Sequence, residues 1–209
     1  MKMRVETVTV GWLEENCYLL EDLETGEMAV VDPGDEAGLI LAGLGERVKR
    51  VRYVLQTHGH SDHTGAVAAV AEAAGAPVAI GEEDAFMLEL PRDLMGEPRR
   101  AVRAGLALRG GESLPFADDE IEVLATPGHT PGGRCFLVGG VLFTGDTLFA
   151  GSVGRTDFPG GDGTALQKSL AELARLPEET LVYPGHGETT EIGREKRDNP
   201  YLRLVLGGE

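Results

Sequence analysis

Within six consecutive positions this chain places three histidines and an aspartate: His58, His60, Asp62 and His63. Imidazole and carboxylate are the usual ligands of zinc and of non-haem iron. Crowded on one short loop, such groups repel or go unsatisfied unless a cation joins them. His58 and His60 are two apart, so on an extended segment both project to the same side. Asp62 and His63 are adjacent and must point differently, which suits a second metal beside the first. Upstream, Val51-Arg52-Tyr53-Val54-Leu55 reads as a strand, and Thr64 to Ala74 reads as a helix closed by Gly75. A loop at the carboxyl end of a strand is where open α/β sheets carry their sites.

The remaining chemistry sits in equivalent places. Alternation and β-branched runs predict strands over residues 5–10, 17–20, 28–31, 77–80, 120–124, 134–138, 141–143 and 181–183. Asp35 is a candidate cap for a helix with Leu39, Ile40 and Leu44 on one face. Glu82 to Leu88 reads as a short helix. Thr164-Ala165-Leu166-Gln167 reads as a capping box opening a helix that buries Leu166, Leu170 and Leu173. Residues 89–111 read as an irregular excursion, either a lid over a substrate or a surface insertion. His129 follows one predicted strand, Asp146 a second and His186 a third. With the first cluster, all five histidines of the chain then lie just past strands. If the strands share one sheet system, His58, His60, Asp62, His63, His129, Asp146 and His186 gather along one edge. Seven donors exceed one tetrahedral metal and suit two metals sharing a carboxylate. Asp146, alone between the two later histidines, is the candidate bridge.

Composition narrows the partners. The 209 residues carry 19 Lys and Arg against 35 Asp and Glu, a formal charge of −16. Nucleic-acid binding calls for a basic surface, and so does an anionic membrane, so neither partner is expected. The length fits one domain, residues 1–209. Met1 to Glu6 shows no hydrophobic leader and no run reaches the length of a membrane span, which points to the cytoplasm. Cys17 and Cys135 fall inside predicted strands without a Cys-x-x-Cys partner, and read as two buried free thiols.

His58-x-His60-x-Asp62-His63 with a later His129, Asp146 and His186 resembles the metallo-β-lactamase superfamily over nearly the whole chain. The resemblance implies an α/β (α+β) fold, a four-layer αββα sandwich with a binuclear site at one edge. It implies that His58, His60 and His129 hold one divalent metal, and that Asp62, His63 and His186 hold the other. Asp146 and a hydroxide would bridge them. True β-lactamases of the class usually depart from this motif, and no cysteine lies near Asp146, which argues against antibiotic hydrolysis.

Gly145-Asp146-Thr147-Leu148-Phe149, Gly154-Arg155-Thr156-Asp157-Phe158, Tyr183-Pro184-Gly185-His186-Gly187 and Asn199-Pro200-Tyr201-Leu202 are similar to the glyoxalase II-like branch. That likeness implies a hydrolase of small-molecule thioesters such as glutathione conjugates. The nucleophile would be the metal-bridging hydroxide, oriented by Asp62. Arg155, Arg194 and Lys196 are the candidate contacts to an anionic substrate. Zinc and iron fit the donors, and manganese is also compatible. The chain ends soon after Asn199 and has Gly187-Glu188 where the branch carries a tyrosine, so the thiol carrier and the acyl group stay open. Two alternatives stand beside this reading. One is a persulfide dioxygenase with a single iron on His58, on His60 or His129, and on Asp146, because the Gly-Arg-Thr-Asp-Phe run is similar in both groups. The other is a metal-binding module without catalysis.

Overall fold

The computed structural model describes residues 2–92, 96 and 100–207. It opens with an antiparallel hairpin, β1 (Met3–Val10) and β2 (Glu15–Asp22), followed by β3 (Met28–Val31). Helix α1 (Ala37–Leu44) leads to a 3-10 turn and to β4 (Val51–Leu55), which lies parallel to β3. Two short helices, α2 (Ser61–Thr64) and α3 (Val67–Ala74), lead to β5 (Val78–Gly81). After α4 (Ala85–Glu89), β6 (Leu106–Leu108) completes a six-stranded sheet in sequence order, β1 to β6.

The second sheet is also six-stranded. β7 (Ser113–Phe116), β8 (Asp119–Ala125), β9 (Arg134–Val138) and β10 (Val141–Gly145) run as an antiparallel meander. A small separate hairpin, β11 (Leu148–Phe149) and β12 (Ser152–Val153), precedes helix α5 (Gly163–Leu173). β13 (Leu181–Pro184) then enters parallel to β10, and β14 (Thr190–Glu191) forms the edge. Helices α6 (Ile192–Asp198) and α7 (Pro200–Val205) close the described chain.

Period-two alternation explains the layering. β2 is buried on both faces: Cys17 and Leu19 pack with Ile40, Leu44, Val67 and Val70 of α1 and α3, whereas Tyr18 and Leu20 face the other sheet. In the second sheet Phe136, Val138 and Phe143 meet Tyr18 and Leu20. Cys135, Leu142 and Val182 turn outward onto Leu166, Leu170 and Leu173 of α5 and onto Leu202 of α7. Three hydrophobic clusters therefore separate four layers, and the αββα sandwich expected from the sequence is present. Both cysteines are free and buried, as expected. Among the described residues no helix is long and apolar enough to cross a membrane.

Several local expectations are corrected. The cap of α5 is Asp162, whose Oδ1 accepts from the N–H groups of Thr164 and Ala165, so the capping box at Thr164 is not formed. Asp35 does not cap α1; its carboxylate accepts from Glu36 N–H, and Leu39 is exposed although Ile40 and Leu44 are buried. The helix expected from Thr64 begins earlier, at Ser61, and is interrupted at residues 65–66. The excursion at 89–111 contains β6, and residues 93–95 and 97–99 of the candidate lid lie outside the described residues.

Short links stitch the two sheets at the edge where the loops cluster. Asn16 on β2 donates through Nδ2 to the carbonyls of Pro184 (3.3 Å) and Gly187 (2.9 Å), and Tyr18 Oη donates to Pro184 O at 2.5 Å. Arg134 N–H donates to Thr57 O at 2.8 Å. Asp84, fully buried ahead of α4, accepts from Gly59 N–H at 3.0 Å and from Gly132 N–H at 2.8 Å, and so ties the loop after β4 to the loop after β8. Removing that carboxylate strands two buried donors, each worth about 1–3 kcal/mol when left unpaired. Asp84→Ala is therefore expected to lower the unfolding free energy by about 2–5 kcal/mol in a urea titration. Asp84→Asn, with one amide oxygen able to accept, should lose roughly half of that. A loss no greater than that of an exposed substitution would show that the link adds no stability.

Candidate metal centre

Four strand ends meet at this edge. β4 delivers the loop with His58 and His60, and α2 supplies Asp62 and His63. The loop after β8 carries His129, β10 ends next to Asp146, and β13 runs into His186. All seven residues singled out in the sequence come together.

They form two groups of three. In the first, His60 Nδ1 lies 3.1 Å from His58 Nε2 and 2.9 Å from His129 Nε2. In the second, Asp62 Oδ2 lies 3.3 Å from His186 Nε2 and 3.7 Å from His63 Nε2. Asp146 stands between them with one oxygen to each. Its Oδ2 is 3.5 Å from His129 Nε2, and its Oδ1 is 3.3 Å from His63 Nε2 and 3.7 Å from His186 Nε2. The carboxylate fits there because residue 185 is glycine: a Cβ would fall 2.6 Å from His63 Cε1 and closer still to Asp146 Oδ1.

The tautomers follow from what sits behind each ring. A carbonyl can only accept, so His129 Nδ1, 2.8 Å from Arg155 O, and His186 Nδ1, 3.1 Å from Leu13 O, carry their hydrogens outward. Asp32 Oδ2 accepts from His63 Nδ1 at 3.0 Å. Asp32 also accepts the Thr57 hydroxyl at 2.5 Å, which leaves the Thr57 oxygen free to accept from His58 Nδ1 at 3.1 Å. In these four histidines the Nε2 lone pair is thereby aimed at the centre, the arrangement a metal ion requires of imidazole.

Electrostatics agree with a donor set. Burial, then the neighbouring histidines, hold His58 well below the usual imidazole range, and burial with His129 lowers His60 to about 4. Burial opposes charge on Asp62 and Asp146, yet His186 and His63 outweigh it and keep both carboxyls below their ordinary range. At His63 and His186 burial is overcome by the facing carboxylates, Asp146 for the first and Asp62 for the second, so both are raised. Those are protons a bound cation would displace. His63 Nε2 and Asp146 Oδ1 are buried and have no hydrogen-bond partner, although each faces the centre. Imidazoles lowered at His58 and His60, displaceable protons at His63 and His186, ionised carboxylates and orphaned inward atoms fit a pair of divalent cations.

Around the centre, Phe158 packs edge-on to His60 at 5.8 Å, and the Arg155 guanidinium stacks on Phe158 at 3.9 Å while chelating Asp157 at 2.6 and 2.7 Å. Arg194 pairs with Glu188 at 3.3 Å and Lys196 with Glu178 at 3.4 Å, both on α6. Sequence reasoning passed over Asp32, Thr57, Asp84 and Glu15. Asp32 had a usable signal: it directly follows β3, as the other site residues follow their strands. In the structure it takes a left-handed φ of 46° that a non-glycine residue rarely adopts.

A relative from Haemophilus influenzae, hydroxyacylglutathione hydrolase GloC, is 36% identical over 215 residues, covering 96% of this chain and 98% of that one. Among solved structures, the BLEG-1 B3 metallo-beta-lactamase superposes with a TM-score of 0.89 at 36% identity, covering 95% of this chain and 99% of its own. TTHA1623 in a di-iron-bound form superposes with a TM-score of 0.83 at 41% identity, covering 94% and 100%. Residues 10–186 match the family model, and the chain belongs to the metallo-beta-lactamase superfamily.

Proposed function

We propose that the chain is a binuclear metal-dependent hydrolase of small-molecule thioesters, acting in the cytoplasm. The observation that carries this reading is the Asp146 carboxylate set between two triads of donors. His58, His60 and His129 would hold one ion, and Asp62, His63 and His186 the other, with Asp146 shared. A pair of divalent ions supplies a water of lowered pKa and a Lewis acid for the substrate carbonyl. The di-iron form of TTHA1623 makes iron a candidate beside zinc, and the name of the Haemophilus relative points to a hydroxyacylglutathione-like thioester.

The chain's own residues contribute placement. Asp32 holds the His63 ring, and the carbonyls of Arg155 and Leu13 hold those of His129 and His186. Asp62, partly exposed and 3.3 Å from His186 Nε2, would orient the attacking water. That water adds its oxygen to the thioester carbonyl carbon. The carbon–sulfur bond breaks, and the thiol leaves with a proton. Arg155, whose charge sits over Phe158 beside His60, is the candidate contact for an anionic arm of the substrate. Arg194 and Lys196 on α6, paired with Glu188 and Glu178, are further candidates.

The direct assay is hydrolysis of S-lactoylglutathione, followed by loss of thioester absorbance with and without chelator. Turnover that the chelator abolishes supports the reading. A cephalosporin hydrolysed in preference to every thioester tried, or oxygen uptake with a persulfide and no hydrolysis, would replace it. A second expectation concerns the bridge. Asp146→Ala should lose thioesterase activity and fall from two bound metal ions per chain to one or none, measured by atomic emission after removal of free metal. Full occupancy in that variant would contradict a bridging Asp146.

A further inference from the structure

On the Nδ1 side of His63 lies a carboxyl group with no evident task in the fold. Glu15 belongs to β2, is 1% exposed, and neither of its side-chain oxygens has a hydrogen-bond partner. Its Oε1 is 3.7 Å from His63 Nδ1, the nitrogen that Asp32 Oδ2 already engages at 3.0 Å. Its backbone forms an isolated bridge with His186, so it touches two members of the second triad. Space for it is built in, because a Cβ on Gly34 would fall 2.5 Å from Glu15 Oε2. Burying a carboxyl group without hydrogen bonds is costly, and a neighbouring cation is what ordinarily offsets that cost.

The two triads differ in what stands behind them. His58 is backed by the Thr57 hydroxyl and His129 by a carbonyl. His63 is backed by two carboxyl groups, Asp32 and Glu15. We propose that Glu15 is a positioning residue that compensates charge at the second triad and sets how tightly Asp62, His63 and His186 hold a divalent cation. It acts through His63 and does not itself ligate. The proposal rests on the binuclear reading given above.

The test compares metal-free wild type with Glu15→Gln, which keeps the volume and removes the carboxyl group. Each is titrated with cobalt(II), and separately with zinc(II), against a chromophoric chelator, and bound metal is counted by atomic emission. Wild type is expected to take two ions. Glu15→Gln should bind the first as tightly as wild type and the second about 10- to 100-fold more weakly, the usual range for a residue behind a ligand. Glu15→Asp, which keeps a carboxyl group, should recover part of that affinity. Thermal unfolding of the metal-free proteins separates this from a structural role. With an unpartnered buried carboxyl removed, metal-free Glu15→Gln should melt no lower than wild type, yet gain less on metal loading. Second-site affinity unchanged in Glu15→Gln overturns the proposal, as does a lower metal-free melting temperature with both sites weakened alike. A wild type that binds no second ion overturns the binuclear reading and this proposal with it.

Discussion

The centre depends on the hydrogen-bond acceptors behind the histidine rings. An imidazole offers one lone pair, and which nitrogen carries it is decided by the partner on the far side. Here two main-chain carbonyls, a carboxylate and a hydroxyl take the outward N–H groups of four rings. The inward nitrogens have no choice of tautomer. Had one of those acceptors been a donor, the ring it faces would have turned its N–H toward the centre. The carbonyls come from Leu13 in the first hairpin and Arg155 in the loop ahead of α5, so segments without a donor of their own still orient the donor rings.

The same economy shows in how the halves of the chain share the work. The first sheet contributes His58, His60, Asp62 and His63, and the second contributes His129, Asp146 and His186. Each triad contains a residue from both, so neither sheet carries a complete triad. Asn16, Tyr18, Asp84 and the Arg134–Thr57 link hold the edges in register. At the far end, buried Glu195 and Asn199 tie α6 and α7 to the β11–β12 hairpin: Glu195 accepts from Gly151 N–H at 2.8 Å, and Asn199 donates to Ser152 O at 3.0 Å. The loop that follows Asp146 is thus fixed by the last helices of the chain.

Much of this was legible in the sequence because the period-two strands are strong and the histidines are few. Both long runs of buried strand, the two free thiols and the buried face of α5 could be read directly. What was missed had a local look-alike. Asp32 stands in Asp-Pro-Gly, which reads as a turn. Glu15 stands in Glu14-Glu15-Asn16 at the start of a strand, a polar run that reads as an exposed turn. Asp162 lies two residues ahead of a good capping box and outcompetes it. β7 contains Pro115, which masks a strand in a pattern search, yet β7 is the sheet edge, where a missing N–H has no ladder partner to lose. Asp84 has no sequence signature, because its two partners, Gly59 and Gly132, are backbone groups far away along the chain.

The division of each triad between the two sheets has a consequence for the life of the molecule. A cation that needs His60 and His129 together, or His63 and His186 together, binds the docked sandwich more tightly than either half alone. Binding then acts as a clasp on tertiary structure: at a free concentration about 100 times the dissociation constant it adds about 2.7 kcal/mol to the closed state. Metal supply would set how often the two sheets part, and with it the exposure of their shared apolar faces to proteases and to other chains. Scarcity of the ion would be felt as turnover of the protein as well as loss of its chemistry.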